Sequence, residues 1–454
     1  MLKNCKICKN FSYIYDELIY LYNIFVKTCK NFSYELGDMV ERNRYLQKLI
    51  DRMNNGMIKV VTGVKRCGKS YLLLEIFYKY LIEHNVQPSH IITLQLDDRL
   101  NLKYRDPDAL CQYIREKIFD DDTFYIILDE VQLVSNFEEV LISFLHIKNV
   151  DVYVTGSNAK FLSSDIITEF RGRGDQVHLS PLSFKEFFDA AHLDLENAWN
   201  EYAMYGGMPF LLNCKSDEQK VNYLTNLFNE TYIKDIVNRN KLRNTELLED
   251  LLNFLASSIG SLTNPTKLSN TYKSLKNQSI ASNTISQYLD YCVDSFLISR
   301  AYRYDVKGKK YLNTTLKYYF SDVGLRNARL GFRQQEENHI LENVIYNELK
   351  SRDFNVDVGV VNINVKNQND NYVKKQLEVD FVCNLGYERY YIQSPLNVGS
   401  REKREQEEKS LVNIKDSFRK IVIVRDNIKK WKDENGVLFL GLKEFLLNPD
   451  SINS

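Results

Sequence analysis

The chain has 454 residues, 44% hydrophobic and 26% charged, and its sixty basic and sixty acidic side chains cancel to a formal net charge of zero. That length exceeds one ordinary core, so roughly two to four domains are expected. The balanced charge excludes a global field that recruits nucleic acid, so any such contact needs a local patch. No stretch stays apolar for long enough to span a bilayer, and the expectation is a cytoplasmic protein with no membrane partner.

Residues 1–38 read as an N-terminal extension. The hexapeptide CKNFSY occurs there twice, too few copies for a solenoid. The eight cysteines are scattered. Cys5 and Cys8 form one CxxC without the second pair a structural zinc site needs, so reduced thiols are expected.

From Met39 the pattern sharpens. ERNRYLQKLIDRMNNG reads as a short amphipathic helix closed by Asn54, Asn55 and Gly56. MIKVV is a buried strand and YLLLEIFYKYL a helix. Between them run Gly63, Val64, Lys65, Arg66, Cys67, Gly68, Lys69 and Ser70, followed by Tyr71: GxxxxGKS in strand–loop–helix context. Glycines let the backbone curl so that several N–H groups face one anion, and the helix start adds its positive end. Lys69 is placed for β- and γ-phosphates and Ser70 for Mg2+. Cys67 beside a helix start has either a lowered thiol pKa or only the task of fitting a tight loop.

HIITLQLDD, FYIILDEVQ, NVDVYVTGSN and GDQVHL read as further strands, alternating with helices. Short continuous apolar runs in that alternation predict a parallel sheet covered on both faces. Ligands bind beyond the carboxyl ends of such strands, where Asp129, Glu130, Ser157 and Asn158 fall. Asp129 suits Mg2+, Glu130 suits polarising an attacking water with help from Gln132, and Asn158 or Ser157 suits sensing the γ-phosphate. Arg171 and Arg173 suit neutralising charge on a transferred phosphoryl group, in cis or from a neighbouring subunit of a homo-oligomer.

GVKRCGKSYLL, IILDEVQ, YVTGSN, GRGDQVHLSPLSFKEFF and YGGMPFLL together resemble one family, as do YLDYCVDSFLISRAYRYDVKGKKYL and YYFSDVGLRNARLGFR further on. It is the prokaryotic AAA-type P-loop ATPases with a C-terminal domain of unknown function related to restriction endonucleases. The likeness runs from about residue 39 to the end and implies ATP with Mg2+ as cofactors and ATP hydrolysis as the activity. It also implies an α/β fold: a P-loop ATPase core over 39–194 and a helical lid over 195–243, with Arg239 a candidate lid arginine.

Residues 244–330 read as a winged helix. Asn264 and Pro265 start its second helix, Ser282 caps the third, and a hairpin turns at Gly308. Lys307, Lys309 and Lys310 at the wing suit phosphates and make DNA a candidate partner, although the third helix is almost free of basic residues. Residues 331–454 resemble the restriction-endonuclease fold. Asp380 and Glu342 stand where metal-binding acids belong, while Tyr391, Ile392 and Gln393 lack the acid and lysine of the second motif, so a degenerate, non-cleaving domain is expected. The expected function is an ATP-binding protein whose hydrolysis drives or resets rearrangement of these two domains, with a protein partner the sequence does not identify. Its rivals are a nucleotide-gated switch, a DNA-binding regulator and an ATP-dependent nuclease.

Overall fold

The computed structural model describes residues 40–156, 170, 172–333, 336–366 and 371–453. The extension, Ser157, Asn158 and Arg171 lie outside the described residues. The first sheet is built from β1 (Ile58–Thr62), β2 (Ile91–Gln95), β3 (Phe124–Asp129), β4 (Val150–Thr155) and β5 (Gly174–His178). Its order is β2-β3-β4-β1-β5 and every pairing is parallel. β1 and β3 are buried along their whole length, which is why they read as unbroken apolar runs.

Two buried charges interrupt that pattern, Asp129 at the end of β3 and Lys59 inside β1. Lys59 of β1 is fully buried and paired with Asp151 of β4. Asp151 also accepts from the Tyr153 hydroxyl at 2.8 Å and the Asn54 N–H at 2.9 Å. A buried pair persists only when its remaining groups are also satisfied, and this network fixes β1 beside β4.

Helices cover the sheet: α1 (Asn43–Ile50), α2, which starts at Lys69–Tyr71, passes a π-turn at Leu72–Phe77 and ends at Tyr78–Glu83, then α3 (Pro107–Lys117) and α4 (Phe137–Phe144). Asp106 caps α3 through the Ala109 N–H, with Pro107 in the first turn, as the missing donor of proline permits. After β5 come α5 (Phe184–Ala191), opened by a Ser183–Glu186 capping box, and α6 (Leu195–Tyr205). A long helix, α7, follows, from Asp217–Asn226 through the π-turn Leu227–Ile233 to Lys234–Asn240.

Three helices come next, α8 (Thr245–Ser257), α9 (Pro265–Lys276) and α10 (Ser282–Asp294). Asn264 caps α9 through the Lys267 N–H. Ser282 does not cap α10; it is its first residue, and the cap is Ala281, which offers no side-chain bond. The hairpin of β6 (Ile298–Asp305) and β7 (Lys310–Phe320) follows, then α11 (Val323–Arg329) and α12 (Glu337–Ser351).

The second sheet has eight strands in the order β12-β13-β11-β10-β9-β8-β6-β7. Its other members are β8 (Asn355–Lys366), β9 (Tyr372–Leu385), β10 (Glu388–Gln393), β11 (Arg419–Val424), β12 (Trp431–Lys432) and β13 (Leu438–Gly441). The β6–β7 hairpin, read as a wing from the sequence, is hydrogen-bonded into this sheet: Arg303–Asp305 of β6 pair with Val358–Val360 of β8. The charged stretch after β10 forms α13 (Arg401–Val412), and α14 (Leu442–Leu447) closes the chain's last unit.

Candidate nucleotide site

The P-loop leaves β1 at Thr62 and enters α2 at Lys69. Gly63 has φ +144°, and a Cβ there would overlap the Leu179 carbonyl. Gly68 and Arg66 also take positive φ, at +100° and +67°. The loop is therefore wound as an anion cradle needs, with glycine where β5's end presses on it. Lys69 is 5% exposed, and its Nζ donates to the Gly63 and Val64 carbonyls at 3.2 Å each.

Ser70 and Asp129 come from different elements and meet. Asp129, at the end of β3, is buried and accepts a hydrogen bond from the Thr155 hydroxyl, with the Ser70 hydroxyl beside it. Burial raises its carboxyl pKa, opposed by those two hydroxyls. Hydroxyl against carboxylate beside a phosphate cradle is the oxygen-donor set that Mg2+ takes. Glu130 follows in the left-handed region, at φ 54°, with its N–H on Thr155 Oγ1 at 2.9 Å. Its carboxylate accepts from Gln132 Nε2. The strained backbone turns Glu130 out of the strand direction while Asp129 stays inside.

Cys67 is buried and donates to the Leu179 carbonyl at 3.4 Å. Burial pushes its thiol up, against the pull of Lys69 and Arg42, so the lowered pKa considered from the helix start does not arise. Val64 is buried beside it, while Lys65 and Tyr71 are half-buried and Arg66 is exposed.

Arg173 is not brought to this site within one chain. Its carbonyl accepts from the Ile58 N–H at 2.8 Å, so it stands at the amino end of β1, one strand length from the P-loop. The reason is directional: β5 runs parallel to β1, and the residue before a parallel strand lies at the end away from the ligand.

α7 adds contacts to the loop. Lys65 Nζ reaches Asp235 Oδ1 of α7 at 2.7 Å, and Arg239 reaches the same carboxylate at 2.6 Å. The Tyr232 hydroxyl donates to the Lys65 carbonyl at 2.9 Å. Arg42, which sequence reasoning missed, is a buried brace: it donates to Cys67 O at 3.3 Å and Ser180 O at 2.7 Å and pairs with Glu186 at 3.0 Å. Its role depends on tertiary burial that no local pattern announces.

YGGMP and SDVGLR, two motifs without a role in the sequence reading, meet each other. Asp322 is buried and accepts from the Gly207 N–H at 2.7 Å and the Leu325 N–H at 3.0 Å. A Cβ at Gly206 would overlap its carboxylate, and one at Gly324 would overlap the Tyr205 carbonyl. Asn327 donates to Ala203 O at 3.0 Å and Met204 O at 2.8 Å. α6 is thereby welded to α11 and, through Phe320 and Asn343, to β7 and α12.

The second acidic centre lies on the other sheet. Lys317 of β7 places its Nζ 2.8 Å from Glu342 and 2.7 Å from Glu378, with Asp380 adding to the attraction. The Tyr319 hydroxyl donates to Glu342 at 2.6 Å. Burial raises the Glu342 carboxyl to about 7. Asp380 accepts from the Ser394 N–H and hydroxyl at 2.8 and 2.7 Å, and its own N–H donates to Gln393. A lysine thus stands among the acids, supplied by β7 and not by the strand searched in the sequence. Among the described residues, the metal-ligating types that converge in a set of three are His90, Asp120 and Asp122, not these acids. His90 faces Asp120 at 3.0 Å and packs on Phe124, at the amino ends of β2 and β3.

These features define an AAA-type P-loop protein, and residues 55–188 match the AAA domain family. Residues 196–336 match a domain of unknown function, DUF8612. An uncharacterized protein of Haemophilus influenzae is 33% identical over 392 residues, covering 85% of this chain and 93% of that one. The chain belongs to that protein's family. An uncharacterized protein of Methanocaldococcus jannaschii is 28% identical, covering 72% of this chain and 71% of its own length. The solved Aeropyrum pernix ORC2 protein is 12% identical with a TM-score of 0.39, over 70% of this chain and 98% of that one, a likeness too loose to carry an argument. No helix among the described residues is long and apolar enough to cross a membrane.

Proposed function

We propose that the protein is a Mg2+-dependent ATPase of the AAA type, whose ATP cycle drives or resets a rearrangement between the P-loop core and the parts that follow it. What carries the reading is the wound loop, with Lys69 held on its carbonyls and the buried Asp129 at the end of β3. In it the loop N–H groups from Gly63 to Tyr71 cradle the phosphates and Lys69 exchanges its two carbonyl partners for phosphate oxygens. Ser70 and Asp129 would hold Mg2+, which would supply charge neutralisation to the bound phosphates. Glu130, oriented by Gln132, takes the proton of the attacking water. Asn158 senses the γ-phosphate, and Arg173 neutralises charge from a second copy of the chain. The Asp322 joint, reaching from α6 to α12, supports the idea that core and C-terminal sheet respond together.

The test is steady-state ATP hydrolysis with parallel ATP affinity for the parent, Lys69→Ala and Glu130→Gln. Expected: Lys69→Ala loses binding, and Glu130→Gln binds ATP but turns over about 10²–10⁴-fold more slowly. If the parent binds ATP and only matches Glu130→Gln in rate, the general-base role is gone and a binding-gated switch replaces the ATPase.

A further inference from the structure

The sheet end formed by the β6–β7 hairpin carries an aromatic strip. Tyr302 and Tyr311 are 43% and 52% exposed, and Phe418 beside β11 is exposed as well. Their arrangement is continuous. Tyr311 lies 6.4 Å from Tyr302 and 5.4 Å from Tyr304, ring to ring. The Arg389 guanidinium sits 5.2 Å over Tyr304 and 5.5 Å over Phe418, bridging the two rings. The turn joining β6 to β7 carries exposed Lys307, Lys309 and Lys310 next to Tyr304 and Tyr311, while Phe418, just before β11, lies toward the amino ends of these co-directional strands.

The nearest acids are already engaged. Asp357 is buried and accepts from the Tyr311 hydroxyl at 3.0 Å, Asp305 is buried and caps the Gly308 N–H, and Asp416 accepts from the Tyr391 hydroxyl at 2.6 Å. The strip is thus a row of π faces with the lysine turn at the Tyr304–Tyr311 end and the exposed Asp416 carboxylate at the Phe418 end. Solvated aromatic rings on a sheet, interleaved with guanidinium and ammonium groups, match unstacked bases and their phosphates. A duplex hides its base faces and offers this strip only its backbone. α10, the helix a winged helix would insert into a groove, carries no lysine or arginine, which turns the charge argument from groove reading toward the strands.

We propose that the exposed aromatic end of the β6–β7 hairpin, with Arg389 and the lysine turn, binds single-stranded nucleic acid by stacking. Bases lie on Tyr302 and Tyr311, and the lysines take phosphates. The bland alternative is that the lysines only keep edge strand β7 from pairing with another chain, in which case the rings would not matter.

The experiment titrates the full chain into a fluorescein-labelled oligothymidine and into a duplex of equal length, reading anisotropy across a salt series. Expected: the single strand binds tighter than the duplex, Tyr302→Ala and Tyr311→Ala each weaken it roughly fivefold or more, and Tyr302→Phe keeps affinity because the ring remains. Lys309→Glu flattens the salt slope by about one unit or more. Should Tyr302→Ala shift the melting transition, Tyr302→Leu is read instead, a side chain of similar bulk without a π face. Unchanged affinity in the ring-deleted variants, duplex binding as tight as single-strand binding, or no binding of either overturns the proposal.

Discussion

At the tip of the parallel sheet one carboxylate, Asp129, faces a hydroxyl, Ser70. On the mixed sheet the carboxylates of Glu342 and Glu378 face an ammonium, Lys317. Both centres gather acids against a sheet, Asp129 at the end of β3 and Glu342 and Glu378 from α12 and β9, yet they differ in what neutralises them. The first leaves its nearest lysine, Lys69, on loop carbonyls, so a divalent cation and a phosphate can both enter. The second has a cation of its own, and Lys317 is held firmly charged by Glu342, Asp380 and Glu378, which outweigh its burial. The Asp129 centre is thus left open to an external cation, whereas the Lys317 centre already holds one of its own.

The largest effect should come from breaking the second centre. Lys317→Met keeps bulk and removes the charge, leaving Glu342 and Glu378 facing each other. Losing one partner of a buried ion cluster costs about 3–5 kcal/mol, with the low end expected because Glu378 is 35% exposed. Urea unfolding midpoints measure this. Mg2+ should restore part of the loss in the variant, beyond whatever shift it gives the parent. A variant as stable as the parent would show that these residues are not an ion cluster.

A smaller effect tests the weld between the two sheets. Burial raises the Asp322 carboxyl to about 6, against the hydrogen bonds from Gly207, Leu325 and Gly324. The folded state therefore keeps a proton that the unfolded chain releases near pH 4. This contribution is fully present below about pH 4 and is lost as pH rises through about 6, a change of at most roughly 3 kcal/mol. Asp322→Asn keeps an acceptor for the Gly207 and Leu325 N–H groups but cannot ionise. Its stability relative to the parent should improve between about pH 4 and about pH 7, by up to roughly 3 kcal/mol. A pH-independent difference would mean that Asp322 titrates at its ordinary value.

What could be read in advance follows from how local each signal is. The P-loop is a contiguous signature, and Asp129 is fixed by the end of an apolar run, so both were legible without tertiary knowledge. The position of Arg173 was legible too, from the direction of a parallel strand, but the residue type drew attention away from that rule. Lys317 was not legible, because its acids come from α12 and β9 and only the folded sheet assembles them. Ser282 looked like a cap because serine usually is one, whereas α10 starts one residue earlier than that rule places it. The two-residue strand β12 is too short to leave a pattern at all.

The smallest expected effect refines the first centre. Lys65 and Asp235 form the half-exposed counterpart of the Lys317 cluster, with side chains 29% and 23% exposed. Solvent screening limits such a pair to about 1 kcal/mol or less. Asp235→Asn should therefore barely move the unfolding midpoint. Its consequence belongs to the ligand: removing an anion next to the cradle frees Lys65 for phosphate and lowers the ATP Kd by up to about fivefold, the equivalent of roughly 1 kcal/mol. Isothermal titration with ATP and Mg2+ reads it directly. A weaker ATP affinity in Asp235→Asn would reverse the assignment, because Asp235 would then be holding Arg239 in position for the nucleotide and its pairing with Lys65 would be incidental.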